Sequence, residues 1–259
     1  MDDSLGDRMK EQYENRTRFY LPRRTYTIVR VDGKAFHSYC RGLDRPFDAR
    51  FMEDMNITAQ ALCDEMQGAR FAYVQSDEIS VLLTDFEKTD TEAWFDGNLQ
   101  KIVSIAAARA TAAFHEARSC RGDRLDRVYG LFDARAFTIP DRTEVENYFI
   151  WRQQDATRNS ISMAAQAKFS PKQLHGVSSG EMQERLFQVG INWNDYPVGF
   201  KRGRFVHRET RIEDVTYTDR RTGNVCVAEG VTRASWVTCD PPVFTQDRDW
   251  LSVRIPSYA

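Results

Sequence analysis

Residues 71–83 read FAYVQSDEISVLL, so two short apolar runs flank the polar quartet Gln75-Ser76-Asp77-Glu78. Runs of this length, joined by a few polar residues, predict a β-hairpin with the quartet at its crest. Such a hairpin would supply two neighbouring antiparallel strands of a sheet, and the other predicted elements have to pack around these strands.

The elements around the hairpin predict an α+β fold of the split βαβ type. Residues 26–32 (YTIVRVD) are rich in β-branched side chains and predict a strand, and apolar residues recur at helical spacing from Phe51 to Met66. Residues 101–117 predict a second helix, and residues 127–140 end in a further strand. The order is therefore β-α-β-β-α-β, in which one antiparallel sheet carries both helices on one face.

The composition of the sequence changes near residue 140, so we expect two domains, residues 1–140 and residues 141–259. In the second part, residues 143–169 predict a long helix. From residue 204 onward, two alternating stretches flank Arg221-Thr222-Gly223, which predicts a terminal β-hairpin.

The composition is that of an ordinary globular protein, with 41% hydrophobic and 29% charged residues. A net charge of −2 argues against a protein that coats nucleic acid non-specifically, because that needs a large basic excess, although a local basic groove is compatible with it. Five cysteines with no C-x-x-C pair argue against a disulfide framework and a zinc site. The charged N-terminus and the lack of a long apolar stretch lead us to expect a cytoplasmic protein without a membrane partner.

Acidic residues end the first strand and occupy the crest of the hairpin. Because the two elements are neighbours in a split βαβ sheet, Asp32, Asp77 and Glu78 are expected to converge at one edge. Oxygen ligands of this kind suit Mg²⁺, and two such ions could activate an attacking oxygen and stabilise a leaving one. Both sites are also common turn sequences, so a pair of solvated turns is the alternative.

The stretch Gly33–His37 (GKAFH) could bring backbone N–H groups close to a triphosphate, while Phe36 within it is expected to be a core aromatic.

Four motifs extend over most of residues 25–205: VRVDGKAFHSYCRGLDRPFD, FAYVQSDEISVLL, WRQQDATRNSISMAAQAKFS and GINWNDYPVGFKRG. Together they resemble the tRNA-histidine guanylyltransferase family, including bacterial, archaeal and phage-type relatives that act as 3′-to-5′ RNA polymerases. The combination of D-G-[KR]-x-F-H with Q-S-D-E, in this order, is more specific than either motif alone. The resemblance implies a catalytic domain similar to the palm of polymerases and nucleotidyl cyclases in residues 1–140. A helical and β-hairpin extension, residues 141–259, would contribute RNA and nucleotide contacts.

The resemblance also implies roles for individual residues. The metal ligands for two Mg²⁺ ions would be the side chains of Asp32 and Asp77 and the carbonyl of Gly33, and Glu78 joins the two aspartates as a candidate catalytic residue. The residues expected to contact the nucleotide, ATP or GTP, are Asp32, Gly33, Lys34, Ala35, Phe36, His37, Arg45, Asp48, Ser76, Asp77 and Asn159. The candidate contacts with tRNA, which a solvated helix face would explain equally well, are Arg152, Arg158, Lys201 and Arg202. The expected partners are tRNA and nucleoside triphosphates, and the expected assembly is a homotetramer.

The implied reaction adds nucleotides to a tRNA 5′ end: a nucleoside triphosphate activates the 5′ phosphate, and the 3′-hydroxyl of an incoming nucleotide attacks it. Eukaryotic guanylyltransferases follow W-R-Q-x-D with an H-I-N-N-L-Y-N run, whereas Thr157 occupies the histidine position here. This difference favours templated tRNA repair, with addition of a single untemplated G to tRNA-histidine as the alternative.

Two other classes of protein share the predicted strand order. A palm-type nucleotidyl cyclase of the diguanylate kind would carry G-G-[DE]-E-F where this chain has Q-S-D-E-I. A non-enzymatic RNA-binding module needs an aromatic, basic strand, but here acidic residues stand where RNA would lie.

Overall fold

A computed structural model describes residues 4–121 and 129–258, whose strands form one six-stranded antiparallel sheet in the order β4-β1-β3-β2-β5-β6. The strands are β1 (Tyr26–Gly33), β2 (Ala69–Gln75), β3 (Glu78–Leu83), β4 (Phe132–Ile139), β5 (Arg204–Thr218) and β6 (Val225–Cys239). The α-helices are α1 (Leu5–Met9), α2 (Phe36–Tyr39), α3 (Ala49–Glu65), α4 (Leu99–Cys120), α5 (Arg142–Gln166), α6 (Pro171–Leu174), α7 (Ser179–Gln188), α8 (Val198–Arg202) and α9 (Arg248–Ser252). Short π- and 3₁₀-helical segments are Lys10–Glu14, Asn15–Thr17, Trp94–Gly97 and Trp193–Asp195.

The predicted hairpin consists of β2 and β3, joined by Ser76 and Asp77. Ser76 has φ 46°, a left-handed conformation that suits a tight hairpin turn. β1 lies between β3 and β4 and is antiparallel to both, so the predicted β-α-β-β-α-β order is confirmed. Residues 127 and 128, which begin the stretch predicted to end in the last of these strands, lie outside the described residues.

Apolar side chains on the two faces of the sheet form two separate clusters. On one face, Val31 packs with Met55 of α3 and Phe114 of α4. On the other face, Ile28 packs with Phe149 of α5. The prediction that α3 and α4 share one face is therefore confirmed, and α5 covers the face that they leave open. Coverage on both faces explains why every residue of β1 and β3 is buried or half-buried, with no alternation of buried and exposed residues.

Strands from both sides of residue 140 belong to the same sheet. Helix α5 begins at Arg142, close to the predicted boundary, but β5 pairs with β2 over residues 71–74. β5 and β6 form the predicted terminal hairpin, and residues 221–223 lie in the connection between them. One sheet therefore continues across residue 140. The division into residues 1–140 and 141–259 stays a prediction.

The second half of α5 continues past the sheet and packs with α7 and Trp193 through Ile161 and Leu186. This packing holds α8 against the hairpin, where Tyr73 Oη donates to the Arg202 carbonyl at 2.5 Å. α5 and α8 therefore meet at the end of the sheet that carries the acidic residues. Within residues 4–121 and 129–258, no helix combines the length and apolar character needed to cross a membrane.

Candidate functional site

The two predicted metal-binding carboxylates lie at the same end of the sheet, on neighbouring strands. Asp32, near the end of β1, stands directly opposite Glu78 of β3 in the antiparallel register. Asp77 precedes Glu78 in the hairpin turn, and its carbonyl accepts a hydrogen bond from the Gly33 N–H at 3.1 Å. The fold thus brings Asp32, Gly33 and Asp77 together.

The electrostatics of this end of the sheet favour a bound cation. Burial raises the pKa of Asp77 to about 6, and the negative charge of Asp32 adds to the rise. Among the described residues, no three or more His, Cys, Asp or Glu side chains are grouped as a metal site. Two carboxylates and a carbonyl nevertheless fit Mg²⁺, which commonly takes few protein ligands and completes its shell with water and substrate phosphates.

The predicted triphosphate loop, residues 33–37, turns sharply beside Asp32. Ala35 has a left-handed backbone, with φ 55° and ψ 37°, immediately before α2 begins. The side chains of Lys34 and His37 are exposed. The loop therefore presents an ammonium group and a stretch of accessible backbone next to the two carboxylates.

Phe36 anchors this loop to the core. Its ring packs against those of Phe114 and Phe132, with centroids 5.6 and 5.0 Å away. The expectation that Phe36 is a core aromatic is confirmed, and only its backbone can face a nucleotide. Gly33 makes the close turn possible, because a Cβ atom there would lie 2.4 Å from the Phe36 ring.

Glu78, a candidate catalytic residue, and Arg152, a candidate RNA contact, bind each other inside the protein. Arg152 Nε and Nη2 donate to Glu78 Oε1 and Oε2, each at 2.8 Å, and the residues are 5% and 8% exposed. Gln75 Nε2 also donates to Glu78, at 3.1 Å, and Arg30 lies 3.8 Å away. Burial raises the pKa of Glu78, while the charge of Arg152 opposes the rise. Both oxygens of Glu78 are therefore engaged by protein donors, and Arg152 is not at the surface where RNA would bind.

The other three predicted RNA contacts differ in exposure. Arg158 is exposed on α5 and pairs with Asp155 at 2.9 Å. Arg202 is half-buried, with its guanidinium 5.4 Å from the centroid of the Trp193 ring. Lys201 is buried, and its Nζ donates to a backbone carbonyl at 2.6 Å. The contact between Lys201 and RNA stays a prediction, and in this structure its ammonium group is engaged by a carbonyl of the protein.

A pocket opens beside the hairpin turn, between the start of α3, α5 and α8. Three predicted nucleotide contacts, Asp48, Ser76 and Asn159, line it. Arg45, on the exposed loop before α3, does not. The fold thus places a pocket next to the turn that carries Asp77.

Asp48 also has a structural role, as the N-cap of α3. Its Oδ1 accepts from the Phe51 N–H at 2.8 Å, and its Oδ2 accepts from the Asp44 N–H at 3.1 Å. An aspartate that satisfies the free amides at a helix start is a common capping arrangement. Its position at the rim of the pocket follows from where α3 begins.

Sequence reasoning missed several residues of the pocket wall. Phe47 and Phe200 stack with centroids 5.0 Å apart and an interplanar angle of 9°, although they are distant in sequence. Gln75 is part of the polar quartet of the hairpin, and Arg204 comes directly after the F-K-R-G motif. Membership of one motif and adjacency to another were the only sequence signals for these two residues. Only tertiary packing brings these four residues to one cavity.

Comparison with known proteins agrees with this architecture. The family model for tRNAHis guanylyltransferase matches residues 6–140. The chain belongs to the tRNAHis guanylyltransferase family. Members of this family are nucleotidyltransferases, so the family and the enzyme class that the motifs predicted are confirmed.

Individual relatives cover most of the chain. The tRNA(His) guanylyltransferase of Debaryomyces hansenii is 32% identical over 77% of this chain and 78% of its own length. The tRNA(His) guanylyltransferase of Schizosaccharomyces pombe is 31% identical over 82% and 83%. A bacterial tRNA(HIS) guanylyltransferase (Thg1)-like protein in complex with ATP is 41% identical, with a TM-score of 0.83 over 98% of this chain and 99% of its own. A bacterial protein of the same description, in complex with GTP, gives 39% identity and a TM-score of 0.78 over the same shares.

Proposed function

We propose that this protein adds nucleotides to the 5′ end of tRNA in the 3′-to-5′ direction, with ATP or GTP activating that end. The observation that carries the proposal is the convergence of Asp32 and Asp77 beside the loop 33–37 and the pocket between α3, α5 and α8. A half-buried acidic pair next to a pocket suits a triphosphate with its metal ions and its base.

In the first step, an oxygen of the tRNA 5′ phosphate forms a bond to the α-phosphorus of the activating nucleotide, and pyrophosphate leaves. In the second step, the 3′-hydroxyl oxygen of the incoming nucleotide forms a bond to the tRNA 5′ phosphorus, and the activating nucleotide leaves as its monophosphate. Both steps are phosphoryl transfers, in which positioning and charge neutralisation supply most of the catalysis.

The residues near the hairpin would divide this work. Asp32, Asp77 and the Gly33 carbonyl would hold two Mg²⁺ ions, which when bound neutralise phosphate charge and lower the pKa of the attacking hydroxyl. Lys34 and the backbone of loop 33–37 would hold the triphosphate, because the loop is exposed beside the carboxylates. The pocket would take the base, and Arg158 and Arg202 would face tRNA phosphates.

We infer templated repair of truncated 5′ ends as the specific activity, with addition of a single untemplated G to tRNA-histidine as the alternative. Thr157 supports this choice. Its side chain is half-buried on α5, and its hydroxyl donates to the Gln153 carbonyl at 2.9 Å, so this position offers no imidazole to a substrate. The cytoplasmic location expected from the sequence is part of the same proposal, as is the homotetramer that the family resemblance implies.

The test is one assay of the purified protein with Mg²⁺, ATP, labelled GTP and two RNAs. One RNA is a tRNA that lacks its 5′ nucleotide opposite a templating C, and the other is intact tRNA-histidine. Label on the truncated tRNA alone supports templated repair, and label on intact tRNA-histidine supports the alternative. Label on neither, with or without a cyclic nucleotide product, contradicts the proposal.

Variants tie this activity to the carboxylates. Asp77→Asn should abolish labelling of either RNA, because the carboxylate next to the pocket is lost. Asp64→Asn, an equal change at an exposed position of α3, should leave labelling unchanged. Near-normal labelling by the Asp77 variant would remove the metal assignment, and omission of Mg²⁺ should reproduce the loss seen in that variant.

A further inference from the structure

The hairpin of β5 and β6 extends well beyond the rest of the sheet. β2 pairs with β5 over residues 204–207, whereas β5 and β6 remain paired with each other as far as Thr218 and Val225. Every residue of the distal part, residues 210–235, is exposed or half-buried, and we call this part the arm. A two-stranded hairpin is at best marginally stable in water by itself, so a further surface is expected to pack against the arm.

One side of the arm is apolar and exposed. Residues opposite each other in the register share a face of the sheet, and Trp236, opposite Arg208, packs on the side of α3 and α4. The bulge in the arm adds its extra residue to β6, so the alternation along β5 is unbroken. This register places Ile212, Val225 and Val227 on the same side as Trp236, where they are 75%, 71% and 61% exposed. The arm therefore presents three aliphatic side chains to solvent on the α3 side of the sheet.

The opposite side of the arm carries charges that are already paired. Arg211 Nη2 lies 2.9 Å from Glu209 Oε2. On β6, Arg233 Nε lies 3.4 Å from Glu213 Oε1. Arg211 and Arg233 stand opposite each other in the register, one position along from Ile212, so these pairs belong to the other face. The arm is therefore amphipathic, with a charged face that suits solvent and an apolar face that suits a dry contact.

The charge of the arm favours a second copy of this chain over RNA as its partner. Equal numbers of basic and acidic residues leave the arm without net charge: Arg211, Arg220, Arg221 and Arg233 against Glu213, Asp214, Asp219 and Glu229. RNA binding needs a basic excess, whereas two neutral arms approach each other without repulsion. A surface that meets its own copy across a two-fold axis has to be compatible with itself, and an apolar face meets that condition.

The size of the arm indicates where the second copy would sit. At about 3.3 Å per residue, β5 from Thr210 to Thr218 is about 30 Å long, and two strands with their side chains are about 10 Å wide. One face of the arm therefore covers about 300 Å², and two arms in contact with each other alone would bury about 600 Å². A stable interface needs about 1,200–2,000 Å² over both partners, so contact between the arms alone is too small.

A groove next to the arm supplies the additional surface. The groove lies between α3 and β6, on the apolar side of the arm, and its lining includes Ile57, Ala61 and Trp236. Ile57 is 36% exposed, although it is a large aliphatic residue in the middle of α3. Two arms that each lie along the groove of the other copy would bury about 1,200 Å² in total, which reaches the lower limit for a specific interface.

We propose that two copies of this chain exchange arms, with the apolar face of each arm packed in the partner's groove between α3 and β6. A two-fold axis makes the two contacts identical, so both apolar faces and both grooves are covered at once. The inference rests on the proposed function only in its self-association, and it names the surface that carries this association.

The first test adds charge to each face of the arm in turn. Val225→Asp with Val227→Asp puts two carboxylates on the apolar face, and Cys226→Asp with Ala228→Asp, the control, adds the same charge to the other face of the same strand. Sedimentation velocity of the full chain should show a mass of at least two chains for the unaltered protein and for the control. The first pair should raise the dissociation constant at least about a hundredfold, because carboxylates buried without partners strongly oppose association.

The second test changes the groove and leaves the arm intact. Ile57→Asp should raise the dissociation constant to a similar extent, so this variant decides if the charged arm does not fold. Ile105→Asp, at an aliphatic residue of α4 that is 38% exposed, is the matched control and should associate like the unaltered protein.

Three results would overturn the arm exchange. The first is an unaltered protein that sediments as a single chain. The second is an unchanged dissociation constant in Ile57→Asp or in the variant with Val225 and Val227 replaced. The third is weaker binding of tRNA by the latter variant at an unchanged mass, which would assign the arm to RNA.

These experiments separate the arm exchange from nucleotide addition. Mass is measured without tRNA or nucleotide, and labelling of truncated tRNA is measured independently. Labelling by a protein that sediments as a single chain would preserve nucleotide addition and overturn the arm exchange. Association that depends on the arm, without labelling of any RNA, would preserve the arm exchange and remove the proposed addition of nucleotides.

Discussion

Replacing Arg152 with methionine should destabilise the protein far more than the same change at Arg158, six residues further along α5. Arg152 makes two hydrogen bonds of 2.8 Å to Glu78 and one of 2.9 Å to Asp155, and it is 5% exposed. Without it, the Glu78 carboxylate stays buried with only the Gln75 amide at 3.1 Å and Arg30 at 3.8 Å. Breaking a buried ion pair by removing one partner costs about 3–5 kcal/mol, and the remaining donors place this case near about 3 kcal/mol.

Arg158→Met is the matched control, because its side chain is 54% exposed and it pairs with the same Asp155 at 2.9 Å. An exposed ion pair contributes about 0–1 kcal/mol. The free energy of unfolding, from urea denaturation followed by circular dichroism, should separate the two variants clearly. In the double variant Arg152→Met with Glu78→Met, neither member of the pair is left without the other, although Arg30 loses its contact with Glu78, so the loss should be smaller than the sum of the two single losses.

A loss of less than about 1 kcal/mol in Arg152→Met would refute the buried ion pair, because the pair would then behave like an exposed one. A double variant that loses the sum of the single effects would refute it as well. Either result would mean that Glu78 and Arg152 are solvated or separated in solution, and it would return Glu78 to consideration as a metal ligand.

Two further predictions follow from the site. Gly33→Ala should lower the free energy of unfolding by about 1–3 kcal/mol, because the new Cβ would lie 2.4 Å from the Phe36 ring. Gly180→Ala is the control and should lose no stability, because no atom lies within 4 Å of its Cβ position. Equal melting temperatures for the two variants would contradict this. Arg202→Ala should raise the KM for tRNA and leave the Kd for ATP unchanged. Its half-buried side chain lies beside Trp193, where it can meet RNA, and it does not line the pocket. An unchanged KM for tRNA would argue against RNA binding at Arg202.

The candidate metal site was accessible to sequence reasoning because its parts depend on local rules. Alternation and turn residues predicted the β2–β3 hairpin, and the split βαβ order placed the end of β1 next to its crest. Asp32 and Asp77 therefore had to come close, whatever the details of packing. Phe36 was likewise predicted correctly as a core aromatic.

The basic residues show where such reasoning stops. Arg152, Arg158 and Lys201 look alike in the sequence, as cations in a loosely basic stretch, yet the first and last are buried and only Arg158 is exposed. The difference arises from a contact between α5 and β3, which joins Arg152 to Glu78 across 74 positions of the chain. No periodicity within α5 carries that information.

The sequence by itself determined the strand order, the hairpin and the meeting of two carboxylates, because each follows from local conformational preference and the few topologies open to it. Only the tertiary structure decided that Glu78 is bound by Arg152 and that Phe47 and Phe200 stack beside one pocket. Those outcomes depend on which side chains from distant segments exclude water from one another, and burial of that kind is a property of the packed chain as a whole.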